Sequence, residues 1–507
     1  MKRYIPIVII LCLLVMTSCN KFLDEKPQGL YTTAEFFQTE SHAMLAINAC
    51  YTPMSFANAD NRLWVLSDVV SDDAVKGGFP GDQADIELID EFRIFEDNGN
   101  LETIWKIYYE GISRCNMVLK YVPAIEMNVA LRNRILGEAH FLRGYYYFNL
   151  CNIFGNIPLI LKPLEPEDMQ VTNIRQELVY NHIESDFNAA FNYMENALIQ
   201  NPDVYPSSEL GRAHPAAAKA LLAKTYLFNK KWQEAVTAAE RVIAYGFSLT
   251  PIYQHNFNVA YDNNEEQIFQ IQHLSGYDPV LGNRLNQWLA PRAQNGYGFD
   301  EPTQSFVDEF EMTVDSVYDP RLDYTLGRDG QLWFDEVPYS STWSSTGYSQ
   351  KKSLQPLSEI PTSSKSDADL NFSIIRYAEV LLIQAEALCE LNQCAEALVP
   401  LNMVRKRARE SYLYDNKLTN YGSIPEGLLP DVISTEQIAL RDAIRHERRV
   451  ELGFECMRYF DVIRYGKEYA ESVFAEKDNF VYEIHKVFPI PQSEMETNKN
   501  ITQNFGY

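Results

Sequence analysis

Aromatic and amide side chains are concentrated between residues 248 and 350 of this 507-residue chain, where three of its six tryptophans lie. An indole or phenol ring offers a flat apolar face with a polar edge. Neighbouring amide and guanidinium groups can hydrogen-bond to hydroxyls. This combination suits a sugar ring, which has an apolar face and a polar rim. The candidate ligand-binding residues are Trp288, Tyr297, Trp333, Tyr339 and Trp343, together with Asn286, Arg292 and Asn295.

A second candidate segment, residues 71–78, follows Trp64 closely. Asp73 and Lys76 are its candidate ligand-binding side chains, because both can hydrogen-bond to hydroxyl groups. Asp72 and Asp73 form the most conspicuous acidic pair, but adjacent carboxylates rarely converge on one substrate. Solvated loop charge or helix capping is therefore the expected role of this pair. For each single aromatic residue, packing within the loops is the alternative to ligand contact.

The short motifs that mark common hydrolases, metalloproteases and nucleotide-binding proteins are absent from the sequence. The eight histidines include no pair at metal-ligand spacing, so we predict no metal site and no cofactor. Carboxylates are abundant, and only their separation in space decides whether a glycosidase pair exists. We predict that the protein is not an enzyme and rank a surface glycoside hydrolase last among the alternatives.

Acidic and basic residues recur at three- and four-residue steps between positions 447 and 464. They are Glu447, Glu451, Glu455, Arg458, Asp461 and Arg464. On a helix this spacing places them on one face. We predict a structural ion-pair ladder that joins helices, because such networks are the common interpretation of these patterns.

Apolar residues recur at helical spacing along most of the chain, which predicts a mainly α-helical fold. The predicted helices cover residues 34–56, 101–122, 129–154, 175–199, 216–228 and 232–245. Residues 267–273 alternate like a short strand. Residues 339–365 are rich in Ser, Thr and Pro and predict a loop, after which helix returns at Phe372.

One helical hairpin pattern occurs twice. Ala223 precedes Ala235 by twelve positions, and Ala385 precedes Ala397 by the same interval. The unit length approaches that of the tetratricopeptide repeat, about 34 residues. We predict a mostly α fold, with a tetratricopeptide-like helical repeat scaffold that carries an irregular, loop-rich ligand-binding region. Helical hairpins without repeat ancestry are the alternative.

The chain has 69 acidic and 44 basic residues, which gives a formal net charge of −25. A surface this negative repels phosphate backbones, so nucleic acid is not an expected partner. Six cysteines follow position 19 without a regular framework, mostly in apolar, helix-like surroundings. We expect small buried thiols there rather than a disulfide scaffold.

The N-terminus has the anatomy of an export signal. Lys2 and Arg3 precede a short apolar run, and small polar residues stand just before Cys19. The run is too short to span a membrane. The segment resembles a bacterial lipoprotein signal, which implies cleavage before Cys19 and acylation of its thiol. Simple secretion is the alternative.

Several motifs resemble the SusD/RagB family of nutrient-binding surface lipoproteins of Bacteroidota. They are the segments 19–24, 143–148 and 154–159, the hairpin after Pro215, the segment 376–387, the charged segment 447–464 and the C-terminal segments 488–494 and 503–507. Phe505 departs from the family pattern, which usually has proline there. The resemblance covers nearly the whole chain.

The resemblance implies a lipid-anchored outer-membrane protein that faces the cell exterior. It implies that the protein binds oligosaccharide or polysaccharide without cleaving it and delivers it to a SusC-like TonB-dependent transporter. A protein-interaction scaffold or a binder of peptide nutrients is the alternative. The expected organisation is a signal peptide at 1–18, an N-terminal helical part at 19–247 and a C-terminal part at 248–507. The C-terminal part is loop-rich over 248–370 and helical over 371–507, and both parts form one compact body.

Overall fold

The computed structural model describes residues 36–55, 62–362 and 366–507. The predicted signal peptide and Cys19 lie outside these residues. The helices are α1 (Glu40–Tyr51), α2 (Ala84–Asp90), α3 (Gly99–Tyr121), α4 (Val129–Phe154), α5 (Gln176–Gln200), α6 (Pro215–Phe228), α7 (Trp232–Ile243), α8 (Leu285–Leu289), α9 (Gln304–Asp308), α10 (Arg321–Thr325), α11 (Tyr377–Glu390), α12 (Cys394–Tyr414), α13 (Gln437–Leu452), α14 (Arg458–Arg464), α15 (Lys467–Val473), α16 (Tyr482–His485) and α17 (Gln492–Thr497). Across the described ranges, no helix has the length and apolar character needed to cross a membrane.

The strands are short and pair only in twos. They are β1 (Ala74–Gly77), β2 (Ile157–Pro158), β3 (Asn173–Ile174), β4 (Gln267–Ile271), β5 (Phe299–Pro302), β6 (Leu326–Gly327), β7 (Leu332–Trp333), β8 (Val337–Pro338), β9 (Ser349–Gln350) and β10 (Phe372–Arg376). The antiparallel pairs are β1–β5, β2–β3, β4–β10, β6–β9 and β7–β8. The predicted, mainly helical architecture is thus confirmed.

The long helices form where apolar residues recur at helical spacing. Helix α4 covers the predicted range 129–154 without change, and α3, α5, α6 and α7 begin and end within two residues of prediction. Asn98 and Asn128 cap α3 and α4 by accepting hydrogen bonds from backbone N–H groups of the first turn. The six described cysteines are buried thiols, as expected.

Two predicted helix boundaries are wrong. The first helix covers only Glu40–Tyr51, and positions 34, 35 and 56 of the prediction lie outside the described residues. Helix does not return at Phe372, because residues 372–376 form β10 and pair with β4, with Phe372 opposite Ile271. The β-branched Ile374 and Ile375 favour a strand at this point. Helix α11 begins at Tyr377, directly after this pairing.

The two predicted hairpins pack as a helical layer. Ala223 and Ala235 face each other in α6 and α7, and Ala385 and Ala397 hold the same places in α11 and α12. All four side chains are fully buried. Small side chains allow the helix backbones to approach closely, and α11 also contacts α6, α7 and α13. This is the tetratricopeptide-like arrangement that the alanine spacing predicts.

The predicted ion-pair ladder is confirmed. Glu451 of α13 is fully buried and pairs with Arg321 (2.8 Å) and Arg376 (2.6 Å), and it also contacts Arg407. These arginines belong to three other elements, so one carboxylate joins α13 to α10, β10 and α12. The three guanidinium groups lower the pKa of Glu451 far below its usual range, against the effect of burial. The charged face is therefore structural.

The β1–β5 ribbon holds the loop-rich region against the helices. Gly77 lies opposite Phe299 in this ribbon. Its φ of +70° favours glycine, and a Cβ atom there would lie 2.5 Å from the carbonyl oxygen of Gly298. The tight ribbon fixes the position of the loop that follows Gly77 relative to the loop that precedes Phe299.

Asp72 and Asp73 are not solvated loop charges, contrary to prediction. Asp73 is fully buried and accepts a 2.7 Å hydrogen bond from Arg449 Nε. Asp72 accepts 2.8 and 2.9 Å hydrogen bonds from Arg458. The pair therefore fastens the start of β1 to α13 and α14. Buried carboxylates need such partners, because removal from water otherwise disfavours their charge.

Candidate functional site

A cleft of about 370 Å³ lies beside the β1–β5 ribbon. Small-molecule sites usually measure about 300–1,000 Å³, so this cleft is of the right size for a ligand. Its walls come from the turn before α2, from α8 and from the loop that leads into β5. The lining residues are Asp82, Gln83, Arg284, Gln287, Trp288, Arg292, Tyr297 and Phe299. We call this site the aromatic cleft.

Trp288 supplies most of the apolar wall of the aromatic cleft. It is half-buried, and its ring centroid lies 5.6 Å from that of Tyr297, with the two ring planes 80° apart. Phe299 lies 5.8 Å from Trp288 on a tilted plane. Gln287 Nε2 donates a 2.8 Å hydrogen bond to the Tyr297 hydroxyl and so holds that ring. Two rings at a right angle form a corner that can contact a flat apolar surface.

Charged groups frame the same cleft. The exposed Arg292 forms an ion pair with Asp82, and its guanidinium carbon lies 3.9 Å from the centroid of the Phe79 ring. Phe79 is 59% exposed. The guanidinium carbon of Arg62 lies 4.5 Å from the centroid of the Trp288 ring. These groups can donate or accept hydrogen bonds at the edge of an apolar contact, as recognition of a hydroxylated ring requires.

Asn295 belongs to the same loop but does not line the cleft. It is exposed and adopts a left-handed conformation with φ of 65°. Asparagine tolerates this conformation better than most residues. Asn295 therefore shapes the turn between Arg292 and Tyr297, and its predicted contact with ligand stays a prediction. Asn286 is buried and bonds to the backbone of Gln355, so it braces α8.

Trp64 and Lys76 lie behind the cleft wall, contrary to the expectation that they contact ligand. Trp64 is only 2% exposed, and its ring centroid lies 6.3 Å from those of Trp288 and Phe299. Lys76 is buried, and its Nζ donates to Glu87 Oε2 (2.9 Å) and to the carbonyl oxygen of Asp82 (3.1 Å). Both residues position the residues that line the cleft. Asp73 is likewise committed to its ion pair with Arg449.

Three buried carboxyl groups lie on the segments that carry this wall. Burial and the neighbouring Asp73 raise the pKa of Asp68 to about 8. Burial raises the pKa of Asp73 to about 6, although Arg449 opposes the shift. Burial and the charge of Asp68 raise the pKa of Asp300 well above its usual range. Within the described part of the chain, no group of three or more His, Cys, Asp or Glu residues is arranged to hold a metal ion.

Trp333, Tyr339 and Trp343 form a separate aromatic cluster around the β7–β8 hairpin. Tyr339 lies 5.9 Å from Trp333 and 5.1 Å from Trp343. Trp333 is 1% and Tyr339 4% exposed, and Gly327 packs against both rings. Burial contradicts the expectation that Trp333 and Tyr339 present their faces to a ligand. Only Trp343 is partly exposed, and its contact with ligand stays a prediction.

The sequence alone did not identify several residues of the aromatic cleft. Arg62, Asp82, Gln83, Arg284 and Gln287 carry no motif and lie in segments of ordinary composition. Only the proximity of Gln287 to Trp288 in the chain could have suggested one of them. The others come into place because the β1–β5 ribbon brings residues near position 80 beside residues near position 295.

Two family models match the chain in succession. A model described as "Starch-binding associating with outer membrane" matches residues 21–227, and one described as "SusD family" matches residues 265–507. Among curated relatives, SusD-like protein P2 of Formosa agariphila is 26% identical over 540 aligned positions, which cover 99% of each chain. A SusD-like protein of Bacteroides ovatus is 24% identical and covers 91% of this chain and 82% of its own.

Solved structures share the whole fold. A laminarin-binding SusD-like protein is 28% identical with a TM-score of 0.76, over 93% of this chain and 100% of that chain. Surface glycan-binding protein A from Bacteroides fluxus is 25% identical with a TM-score of 0.74, over 93% and 100%. Since models of this family match both halves of the chain and the fold is that of its solved members, the protein belongs to the SusD/RagB family.

Proposed function

We propose that this protein binds oligosaccharide in the aromatic cleft, outside the cell, and passes it to a SusC-like TonB-dependent channel. The observation that carries the proposal is the corner formed by Trp288 and Tyr297 in a cleft of about 370 Å³. Aromatic rings with polar edges provide contact area at low cost in conformational entropy. A sugar ring stacked on Trp288 would keep its hydroxyls within reach of Arg292 and Asp82.

A β-glucan of the laminarin type is the first ligand to test. The solved relative with 28% identity is described as laminarin-binding. This likeness supports the choice of ligand class, and the cleft residues supply the physical means of binding. Neutral glucan also suits the cleft, because Arg292 and Asp82 balance each other in charge.

Binding in the cleft would occur without hydrolysis. Glycosidases of both stereochemical types use two carboxyl groups on either side of the scissile bond. Among the described residues that line the aromatic cleft, Asp82 is the one carboxylate, and it is paired with Arg292. This arrangement supports a binding role rather than an enzymatic one.

The proposed setting is the outer membrane, with the protein held by acyl chains on Cys19. Several acyl chains on one residue give stable anchoring, where one chain is marginal. The match to a family described as associating with the outer membrane supports this setting. The channel partner follows from the family resemblance and is tested by co-purification with the anchored protein.

Titration calorimetry of the purified mature protein against hexasaccharides tests the proposed function. Laminarihexaose, cellohexaose, maltohexaose and a neutral hexapeptide form the panel, and chromatography of each mixture after overnight incubation reports cleavage. The proposal expects saturable binding of at least one glycan and its recovery intact. Binding of the peptide alone, or the appearance of shorter sugars, would contradict the proposal.

A further inference from the structure

A second cavity, of about 220 Å³, shares no lining residue with the aromatic cleft. It lies between the segment that precedes α6 and the edge of strand β4. Tyr205, Leu210 and His214 line it from the first side, and Phe269 and Gln270 line it from the strand. Leu210 is 67% exposed, so the cavity reaches the protein surface at that end. We call it the strand-edge cavity.

Two buried polar groups of this cavity have no hydrogen-bond partner among the described residues. Gln270 is 2% exposed, and its Oε1 accepts a 2.8 Å hydrogen bond from the backbone N–H of Asn263. This bond fixes the amide, while its Nε2 donor is buried and unpaired. The hydroxyl of Tyr205 is also buried and unpaired. Buried polar groups are nearly always hydrogen-bonded, so a molecule outside the chain must complete both groups.

The size of the cavity indicates more than a single ordered water. One water needs roughly 10–15 Å³ of such space, and this cavity offers about 220 Å³. Phe269 and the Tyr205 ring give it apolar walls, and the unpaired donors give it polar positions. The occupant therefore combines hydroxyl or ether oxygens with apolar ring surface.

The charges around the cavity cancel, so its occupant is neutral. Arg134 pairs with Glu209 at 2.7 Å, and Arg212 pairs with Glu138 at 2.9 Å. Burial lowers the pKa of His214, so its imidazole is neutral at physiological pH. No uncompensated charge is left to attract a phosphate or a carboxylate.

We propose that the strand-edge cavity is a second carbohydrate site that takes one neutral sugar residue. An oxygen of the sugar accepts from Gln270 Nε2, and a sugar hydroxyl exchanges a hydrogen bond with the Tyr205 hydroxyl. The ring lies against Phe269. This site adds to the aromatic cleft and rests on the proposed function only for the class of ligand, since the two cavities can be tested separately.

Saturation-transfer NMR with single sugars tests this proposal. Glucose, galactose, mannose and xylose are added in turn to the mature wild-type protein and to the Tyr205→Phe and Gln270→Met variants. Tyr205→Phe removes a hydroxyl that bonds to nothing in the protein, so the fold loses no contact. Loss of one hydrogen bond should weaken the affinity for the bound sugar about fivefold. Gln233→Met, on the exposed face of α7, is the matched control and should leave the signal unchanged.

The Trp288→Ala variant separates this proposal from the proposed function. We expect it to keep the single-sugar signal while it loses affinity for oligosaccharide. Failure of the proposed function would appear as unchanged oligosaccharide binding in Trp288→Ala. The strand-edge site is refuted if no single sugar gives a signal, or if the signal survives both Tyr205→Phe and Gln270→Met. In either case water alone fills the cavity.

Discussion

Replacing Trp288 with alanine should weaken glycan binding while leaving the protein folded. A sugar ring stacked on the indole removes about 80 Å² of apolar surface from water, counted over both partners, which at about 25 cal/mol per Å² contributes about 2 kcal/mol. A loss of this size raises Kd about 30-fold. The half-buried indole also packs against Trp64 and Phe299. Truncation should therefore destabilise the fold by about 2 kcal/mol, less than for a fully buried tryptophan.

Trp343→Ala is the matched control for this variant. Trp343 is also a half-buried tryptophan of the loop-rich region, but it packs on Tyr339 in the separate aromatic cluster. We expect its glycan affinity to stay within about twofold of wild type, because the variant loses none of the cleft contacts that set ΔG of binding. Titration calorimetry with laminarihexaose measures both affinities, and circular dichroism confirms that both variants are folded. Equal affinities in the two variants, or a larger loss in Trp343→Ala, would refute the assignment of the ligand to the aromatic cleft.

Three further perturbations test the stability and the setting of the protein. Glu451→Gln should lower the free energy of unfolding in urea by about 3–5 kcal/mol, because three buried arginines lose their shared counter-charge. Glu102→Gln, which removes an exposed helix pair with Lys106, should change it by less than about 0.5 kcal/mol. Asp68 has a raised pKa of about 8 in the folded protein, so ionisation opposes folding: its stabilising effect is complete below about pH 4 and is lost as the pH rises through about 8. Wild type and Asp68→Asn should therefore show the same pH dependence of unfolding below pH 4, and wild type should lose up to about 1.4 kcal/mol more per pH unit between there and pH 8; parallel curves would contradict this reasoning. Cys19→Ser should move the protein from the membrane fraction to the soluble fraction of fractionated cells, and retention in the membrane would contradict anchoring through that residue.

The helical scaffold could be predicted because its signal is local. The apolar spacing in 129–154 sets α4 within one segment, and the alanine interval from Ala223 to Ala235 sets a hairpin within two. The charged pattern around Glu451 also predicted its structural role, since helical spacing alone places those residues on one face. Its arginine partners, such as Arg321 and Arg376, were not predictable, because they come from elements far away in the chain.

The candidate site was only partly predictable because burial depends on distant contacts. Nothing in the sequence around Trp333 distinguishes it from Trp288, yet the first packs inside a hairpin cluster and the second lines a cleft. Asp73 looked solvated because its partner, Arg449, lies 376 positions away. Asp82 entered the site only through the pairing of β1 with β5. Composition could therefore identify the loop-rich region, but not which of its side chains line the cleft.

A crystal structure of the protein with laminarihexaose tests the central claim most directly. The account predicts intact hexasaccharide in the aromatic cleft, with one sugar ring stacked on Trp288 and its hydroxyls bonded to Arg292 or Asp82. Sugar bound instead over Trp343, or shorter products in the cleft, would contradict it.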